Sequence, residues 1–135
     1  MTYKLEQIEG IGPHFAERLI AAGVHTSADL LARCGSSEGM RDLASRSGIS
    51  DLQLTTWTHQ ADLMRISGIG SEFGQLLESA GIETVRELGM RNPDNVVHLL
   101  DRVNREKHLT RTVPGTKTVS KWIEHARHLE PALSI

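Results

Sequence analysis

One pattern occurs twice in this chain, first as LEQIEGIGPHFAERLIAAGVHTSADL (residues 5–30) and again as LMRISGIGSEFGQLLESAGIETVREL (residues 63–88), 58 positions later. Eleven residues are identical in the two copies, and Val24 is replaced by Ile82 in the second. The identical pairs are Leu5/Leu63, Ile8/Ile66, Gly10/Gly68, Ile11/Ile69, Gly12/Gly70, Phe15/Phe73, Leu19/Leu77, Ala22/Ala80, Gly23/Gly81, Thr26/Thr84 and Leu30/Leu88. An internal repeat of this length predicts two related structural units in one chain.

The repeat continues beyond residue 30 with a second spacing. Four residues are matched 65 positions later, in the pairs Leu54/Val119, Trp57/Trp122, Ala61/Ala126 and Met64/Leu129. The second copy therefore carries about seven extra residues, which we place between Asn92 and Thr116. Four of the five aromatic residues (Phe15, Phe73, Trp57 and Trp122) are at equivalent positions on apolar helical stripes. This placement predicts core anchors and not platforms for stacked bases.

The periodic signals are all helical, and no alternating run of β-branched residues predicts a strand. In each copy a Gly-Ile-Gly turn joins a short helix to a longer one, and its two glycines allow backbone angles that a side chain disfavours. Pro13 suits the first turn of the longer helix, which stops at Gly23. Thr26 is predicted to cap a helix, with Asp29 three residues on, and capping boxes are predicted for Thr84 with Glu87 and for Ser50 with Gln53.

Later in the chain, Asn92-Pro93 predicts a helix that runs to about Lys107, and a final helix extends from about Lys117 to Leu129. We therefore predict an all-α fold of two tandem units, each of four to five short helices. The expected units are residues 1–60 and 61–135, joined by a continuous helix near residues 51–64 with one shared or abutting core.

Composition restricts the class of protein. Of 135 residues, 39% are hydrophobic and 24% are charged, as in a globular domain, and no apolar run is long enough to cross a membrane. The charges near the N-terminus are unlike a secretory signal, so we expect a cytoplasmic protein. The single cysteine, Cys34, excludes an internal disulfide and a multi-thiolate metal site, and we expect an inert, partly buried thiol.

The net charge of −2 does not favour a bulk nucleic-acid binder, but the charge is uneven along the chain. Residues 102–127 contain seven cations and two acids, a local balance of 7 − 2 = +5. The cations are Arg102, Arg105, Lys107, Arg111, Lys117, Lys121 and Arg127. This stretch is either a solvated helical face or a docking surface for phosphate or an acidic partner.

Two resemblances carry the interpretation further. The segments GIGPHFAERLIAAGV and GIGSEFGQLLESAGI resemble the helix-hairpin-helix motif, whose centre is apolar-Gly-apolar-Gly followed by a helix. The chain is also similar to an uncharacterised bacterial family, a domain of unknown function built on tandem helix-hairpin-helix units. The stretches that carry this similarity are ADLMRISGIGSEFGQLLESAGIETVREL, RNPDN, VNREKHL and VSKWIEHARHL.

In helix-hairpin-helix proteins, the backbone N–H groups of the hairpin and the N-terminus of the next helix bind a phosphate of DNA. Unpaired N–H groups and the positive end of the helix dipole form an anion site, and a phosphate contact reads no base sequence. The resemblance therefore implies contacts at Gly10, Ile11, Gly12 and His14, and at Gly68, Ile69, Gly70 and Ser71. The basic stretch adds Lys117 and Lys121.

Two functions remain open at this point. The first is a sequence-nonspecific module that binds DNA or RNA through the phosphate backbone. The second is a protein-interaction or scaffold module in which the hairpins are structural turns. Two departures favour the second, because Pro13 removes an N–H group from the first hairpin and Glu72 places a carboxylate beside the second. We favour nucleic acid slightly, because the backbone chemistry survives in at least one copy.

Catalysis and cofactors are not expected. Phe15 and Phe73 replace the third glycine of a dinucleotide fingerprint, and the chain has no Gly-Lys-Ser/Thr element of a phosphate loop. His125 and His128 share a helical face but have no further ligand at metal-binding spacing. No set of nucleophile, base and orienting group is evident, so we expect neither an enzyme, nor a cofactor, nor a metal site.

Overall fold

The computed structural model describes residues 2–135 and is helical throughout, which confirms the predicted all-α class. In this range the β-structure is limited to one isolated antiparallel bridge, between Lys4 and Thr26. A 3-10 helix, Leu5–Gln7, precedes the α-helices of the described chain. These are α1 (Pro13–Ala21), α2 (Ser27–Cys34), α3 (Ser37–Ser47), α4 (Asp51–Leu63), α5 (Ser71–Ser79), α6 (Val85–Gly89), α7 (Pro93–Lys107) and α8 (Thr116–His128).

The two copies of the sequence pattern adopt elements with matching bounds. Helix α5 lies 58 positions after α1, and α8 lies 65 positions after α4, with the same first and last residues in register. Helix α6 has 5 residues where α2 has 8, whereas α7 has 15 where α3 has 11. The extra residues of the second copy lengthen α7 and the connection from Lys107 to Thr116, in the predicted region.

The core consists of two hydrophobic clusters. The first is built from residues between Leu5 and Met64, and the second from residues between Leu63 and Ala126. Helix α4 contributes to both, because Trp57 and Ala61 pack in the first cluster and Leu63 packs in the second. The expected core is therefore found in its abutting form, with α4 at the junction.

At α2, α4 and α6 the predicted cap residue accepts the N–H group three positions on, but the boxes differ from the prediction. At α2 the box is complete, since the Asp29 N–H donates to Thr26 Oγ1 and the Thr26 N–H donates to the Asp29 carboxylate, both at 3.2 Å. The same carboxylate also accepts the His25 N–H, at 2.9 Å. At α6 the box predicted for Thr84 is only half formed, because the Glu87 carboxylate accepts the Glu83 N–H, the equivalent of the His25 N–H, and not that of Thr84. The box predicted for α4 is likewise half formed: the Gln53 N–H donates to Ser50 Oγ, but the Gln53 side-chain oxygen accepts from that hydroxyl and not from the Ser50 N–H.

The segment after α8 returns to the first cluster. Arg65 Nη2 donates to the Glu130 carbonyl oxygen at 2.7 Å, and the Ser134 N–H donates to the Gly35 carbonyl oxygen at 2.7 Å. A side chain at Gly35 would come within 2.8 Å of the Ala132 carbonyl oxygen, so glycine permits this close approach. The tail thus links the end of the second half to the α2–α3 corner of the first. None of the helices in residues 2–135 is long and apolar enough to cross a membrane.

Candidate nucleic-acid interface

Two short loops carry most of the candidate residues: the first glycine loop, residues 8–12, and the second glycine loop, residues 66–70. Each begins with the same turn, in which the N–H of the fourth residue donates to the carbonyl oxygen of the first at 3.1 Å. Gly10 and Gly68 both have a φ of +94°, where a side chain is strained. The predicted need for glycine is confirmed at these two positions.

A tryptophan lies directly beneath each loop. A Cβ atom on Gly10 would lie 3.0 Å from Nε1 of Trp57, and one on Gly68 would lie 3.1 Å from Nε1 of Trp122. Phe15 completes the first contact, with its ring centroid 5.1 Å from that of Trp57, and the equivalent pair in the second copy is 5.3 Å apart. The two tryptophans are 4% and 2% exposed, which confirms their prediction as core anchors.

Gly12 and Gly70, the second glycines of the loops, are in a different situation. Their φ angles of −87° and −97° are ordinary, so the unusual backbone angles predicted for them are wrong. A Cβ atom at either position would meet nothing within 4 Å. Both are N-cap residues without a side-chain cap, of α1 and α5 respectively.

The loops leave part of their backbone unpaired. Within residues 2–135, the N–H groups of Gly12 and His14, and those of Gly70, Ser71 and Glu72, have no hydrogen-bond acceptor. These groups are the first donors of α1 and α5, where the helix dipole favours an anion. Because Pro13 has no N–H, the first loop offers one donor fewer than the second.

Ile11 and Ile69, which the resemblance also implicated, have another role. Their side chains are 3% and 0% exposed and belong to the two clusters. Their N–H groups are the ones that close the loop turns on the carbonyl oxygens of Ile8 and Ile66. The two isoleucines therefore fix the loops from inside and have no free donor for a phosphate.

Lys117 and Lys121 lie on α8 beside the second loop. The two lysines and His125 line one exposed face of this helix, at intervals of four residues. Nδ1 of His125 accepts the Ser67 N–H at 3.2 Å, which joins this face to the loop. Neither lysine forms an ion pair within the described chain, whereas Glu124 on the same face lies 3.9 Å from Nδ1 of His128. The helix that carries both lysines therefore contacts the second loop, through His125 at Ser67 and Trp122 at Gly68.

The equivalent face beside the first loop is uncharged. On α4 the positions that correspond to Lys117, Lys121 and His125 are Leu52, Thr56 and Gln60. The Leu52 side chain is 77% exposed, while Gln60 is buried and its Oε1 atom has no partner. The lysines predicted to support both loops therefore lie beside the second loop only.

A family model for a domain of unknown function, DUF4332, matches residues 9–129. This chain belongs to that family. The match includes residues 9–12 of the first glycine loop, the whole second loop and all of α1 to α8, and it confirms the resemblance to a family of unknown function. No curated protein and no solved structure matches the chain.

Each glycine loop of this DUF4332 domain has one exposed acidic neighbour. Glu9 lies within the first loop, and Glu72 lies in the first turn of α5 after the second loop. Glu72 was expected to weaken anion binding at the second loop. There, however, the two lysines of α8 outnumber it, whereas Glu9 faces no lysine on α4.

Other reactive groups of the domain have structural surroundings. Burial raises the pKa of the Cys34 thiol, which lies in the first cluster and is fully buried, beyond the partial burial expected. No group of three or more metal-ligating side chains occurs in residues 2–135. Asp62, which no sequence motif singled out, is 2% exposed, and its carboxylate accepts the Val85 N–H and binds Arg65 Nη1, both at 2.8 Å. Its position between Ala61 and Leu63 in the last turn of α4, three residues before an arginine, is the signal that the sequence offers.

Proposed function

We propose that this protein is a non-enzymatic binding module that holds DNA through its phosphate backbone without reading base sequence. In this proposal each glycine loop and the helix after it form a helix-hairpin-helix unit, and the two units stand in tandem. The observation that carries the proposal is the pair Gly12 and Gly70. Glycine is present there in both copies although neither the backbone angle nor any neighbouring side chain requires it.

A bound phosphate would account for both glycines. Helix N-caps favour Ser, Thr, Asp or Asn, whose side chains satisfy the first N–H groups of the helix. Glycine leaves these N–H groups open and gives a phosphate oxygen room to approach. Such contacts position the protein on the backbone and carry no sequence information.

The test is fluorescence anisotropy with labelled duplex DNA, single-stranded DNA and RNA over a range of salt concentrations. We expect dissociation constants of roughly 1–100 µM that weaken with salt, with a log–log slope of about −0.9 per neutralised phosphate on duplex DNA. The doubly substituted Gly12→Asp/Gly70→Asp variant should lose binding, because each carboxylate would cap the helix and repel the phosphate. Absence of binding at low salt by protein that is folded by circular dichroism would contradict the proposal.

A protein partner is the second candidate function, and one observation favours it. Leu52 is 77% exposed beside the first glycine loop, on a face with no charge. Affinity capture with the wild type and with Leu52→Glu, followed by mass spectrometry, tests this alternative. A partner retained by the wild type and lost from Leu52→Glu would favour a protein-interaction module, especially if the protein also fails to bind DNA.

A further inference from the structure

We propose that duplex DNA docks chiefly on one side of this protein, against the face of α8 that carries Lys117, Lys121 and His125, together with the adjoining second glycine loop. The first glycine loop makes the weaker phosphate contact. This inference rests on the proposed function and specifies where, and in which form, the nucleic acid binds.

The α8 face and the second loop form one continuous surface. Trp122 packs against Gly68 from beneath, and His125 accepts the Ser67 N–H at 3.2 Å. Lys121 precedes His125 by one helical turn, and Lys117 precedes Lys121 by another. The row of lysines on α8 therefore leads to His125, the residue that bonds to the second loop, and the free N–H groups of Gly70 and Ser71 follow at the end of that loop.

The charge on this surface is complementary to a phosphate backbone. Four residues of helix correspond to a rise of about 6 Å, so the lysines present a regular row of cations. Both are exposed and make no ion pair within the described residues, so their charge is free for a partner. Because the whole chain has a net charge of −2, affinity for DNA depends on such a local surface.

The first loop has the same backbone without the charge. The positions equivalent to the lysines are Leu52 and Thr56, and Glu9 lies within the loop itself. Pro13 also removes one of its donors. A phosphate at the first loop would meet fewer N–H groups and no cation from α4.

Duplex DNA fits this surface better than a single strand. Proteins that bind single strands without sequence preference stack bases on exposed aromatic side chains. The five Trp, Tyr and Phe residues of this chain are all buried or half-buried, and Trp57 and Trp122 are core residues. The groups available on the surface are backbone N–H donors and cations, which contact phosphates and not bases.

The first experiment compares Lys117→Ala/Lys121→Ala with Arg41→Ala/Arg46→Ala, a control on α3 with the same change in net charge. Binding of labelled duplex DNA is measured by anisotropy as a function of salt. The α8 variant should lose about two phosphate contacts, which lowers the magnitude of the log–log slope by about 1.8 and weakens binding roughly tenfold or more at low salt. The α3 control should remain within about twofold of the wild type, because a surface charge outside the contact adds little. Equal losses in the two variants would overturn the inference.

The second experiment compares the single substitutions Gly70→Asp and Gly12→Asp, which are matched in chemistry and in their open surroundings. We expect Gly70→Asp to abolish duplex binding and Gly12→Asp to weaken it much less, because the first loop has one donor fewer and no lysine on α4. If the wild type binds and both substitutions weaken binding equally, the one-sided contact is wrong while the proposed function stands. If the folded wild type does not bind at all, the proposed function itself fails.

A gain-of-function variant provides the converse test. Leu52→Lys/Thr56→Lys copies the cations of α8 onto the equivalent positions of α4. This variant should bind duplex DNA more tightly and with a steeper salt dependence, and Gly12→Asp should now remove the gain. Tighter binding that Gly12→Asp leaves intact, or a preference of the wild type for single strands or for duplex RNA, would contradict the inference.

Discussion

The two glycine loops have the same backbone and different surroundings. Each closes with a 3.1 Å hydrogen bond, places a glycine at a φ of +94°, and lies on a buried tryptophan. Beside the first loop, α4 presents the exposed Leu52, and beside the second, α8 presents Lys117. Apart from Gly12 and Gly70, the residues that the two loops share pack or turn the chain, whereas Leu52 and Lys117 differ and are exposed. The difference separates what the fold needs from what a partner would contact.

The largest effect is expected from the tryptophans that support the loops. Trp57→Ala and Trp122→Ala should each lower the free energy of unfolding by roughly 3–5 kcal/mol, because each removes a large side chain from a filled core. Denaturant unfolding followed by circular dichroism measures both losses. Similar values would show that the loops are structurally equivalent, and a loss under about 1 kcal/mol at either site would show that its loop does not depend on the indole.

Cys34 provides a probe that distinguishes the two halves in these variants. Its thiol is buried in the first cluster, and burial raises its pKa, so little reactive thiolate is present in the folded protein at neutral pH. Trp57→Ala should increase its rate of reaction with a thiol reagent more than Trp122→Ala does. Equal rates in both variants would show that the two clusters open together.

A slightly smaller effect is expected at Asp62, where the halves differ. Asp62→Ala should cost about 3 kcal/mol, because it leaves Arg65 without its ion pair and the Val85 N–H without an acceptor. In the first half the equivalent N–H, of Ser27, donates to the Tyr3 carbonyl oxygen, and Ser27 Oγ accepts the Tyr3 N–H.

Ser27→Ala is the matched control for Asp62→Ala, and it should cost only about 1 kcal/mol, since it removes one neutral hydrogen bond. Thermal and denaturant unfolding of both variants provide the comparison. If Ser27→Ala lowers the free energy of unfolding as much as Asp62→Ala, the carboxylate stabilises the second half no more than a neutral hydrogen bond stabilises the first.

The repeat made most of the fold predictable and the site only in part. Identical apolar residues at helical spacing determine the cores, and local residues such as Pro13 and Thr26 determine where helices begin, so both are visible in the sequence. Whether an N–H group is free or hydrogen-bonded depends on the turn geometry, which the sequence does not show. The phosphate contact predicted for Ile11 and Ile69 fails for this reason, because their N–H groups close the turns. The hydrogen bond from the Ser67 N–H to His125 depends on how α8 packs against the second loop, and no local sequence pattern predicts it.

A moderate effect is expected where the loops require glycine. Gly10→Ala and Gly68→Ala should each cost about 1–3 kcal/mol, because alanine is strained at a φ of +94° and its Cβ atom would press on the indole beneath. The measurement is again denaturant unfolding. A loss of unfolding free energy in only one of the two variants would show that the two loops are not structurally equivalent.

The smallest effect is expected at Gly12 and Gly70, and its sign matters more than its size. Aspartate at either position caps the following helix and meets no neighbouring atom within 4 Å, so Gly12→Asp and Gly70→Asp should each raise stability by a few tenths of a kcal/mol. The shift in the denaturation midpoint at constant slope measures this gain. Added stability together with lost DNA binding at Gly70 would mean that glycine there serves a partner at the expense of the fold. Lower stability in either variant would instead show that the loop needs glycine for its own structure.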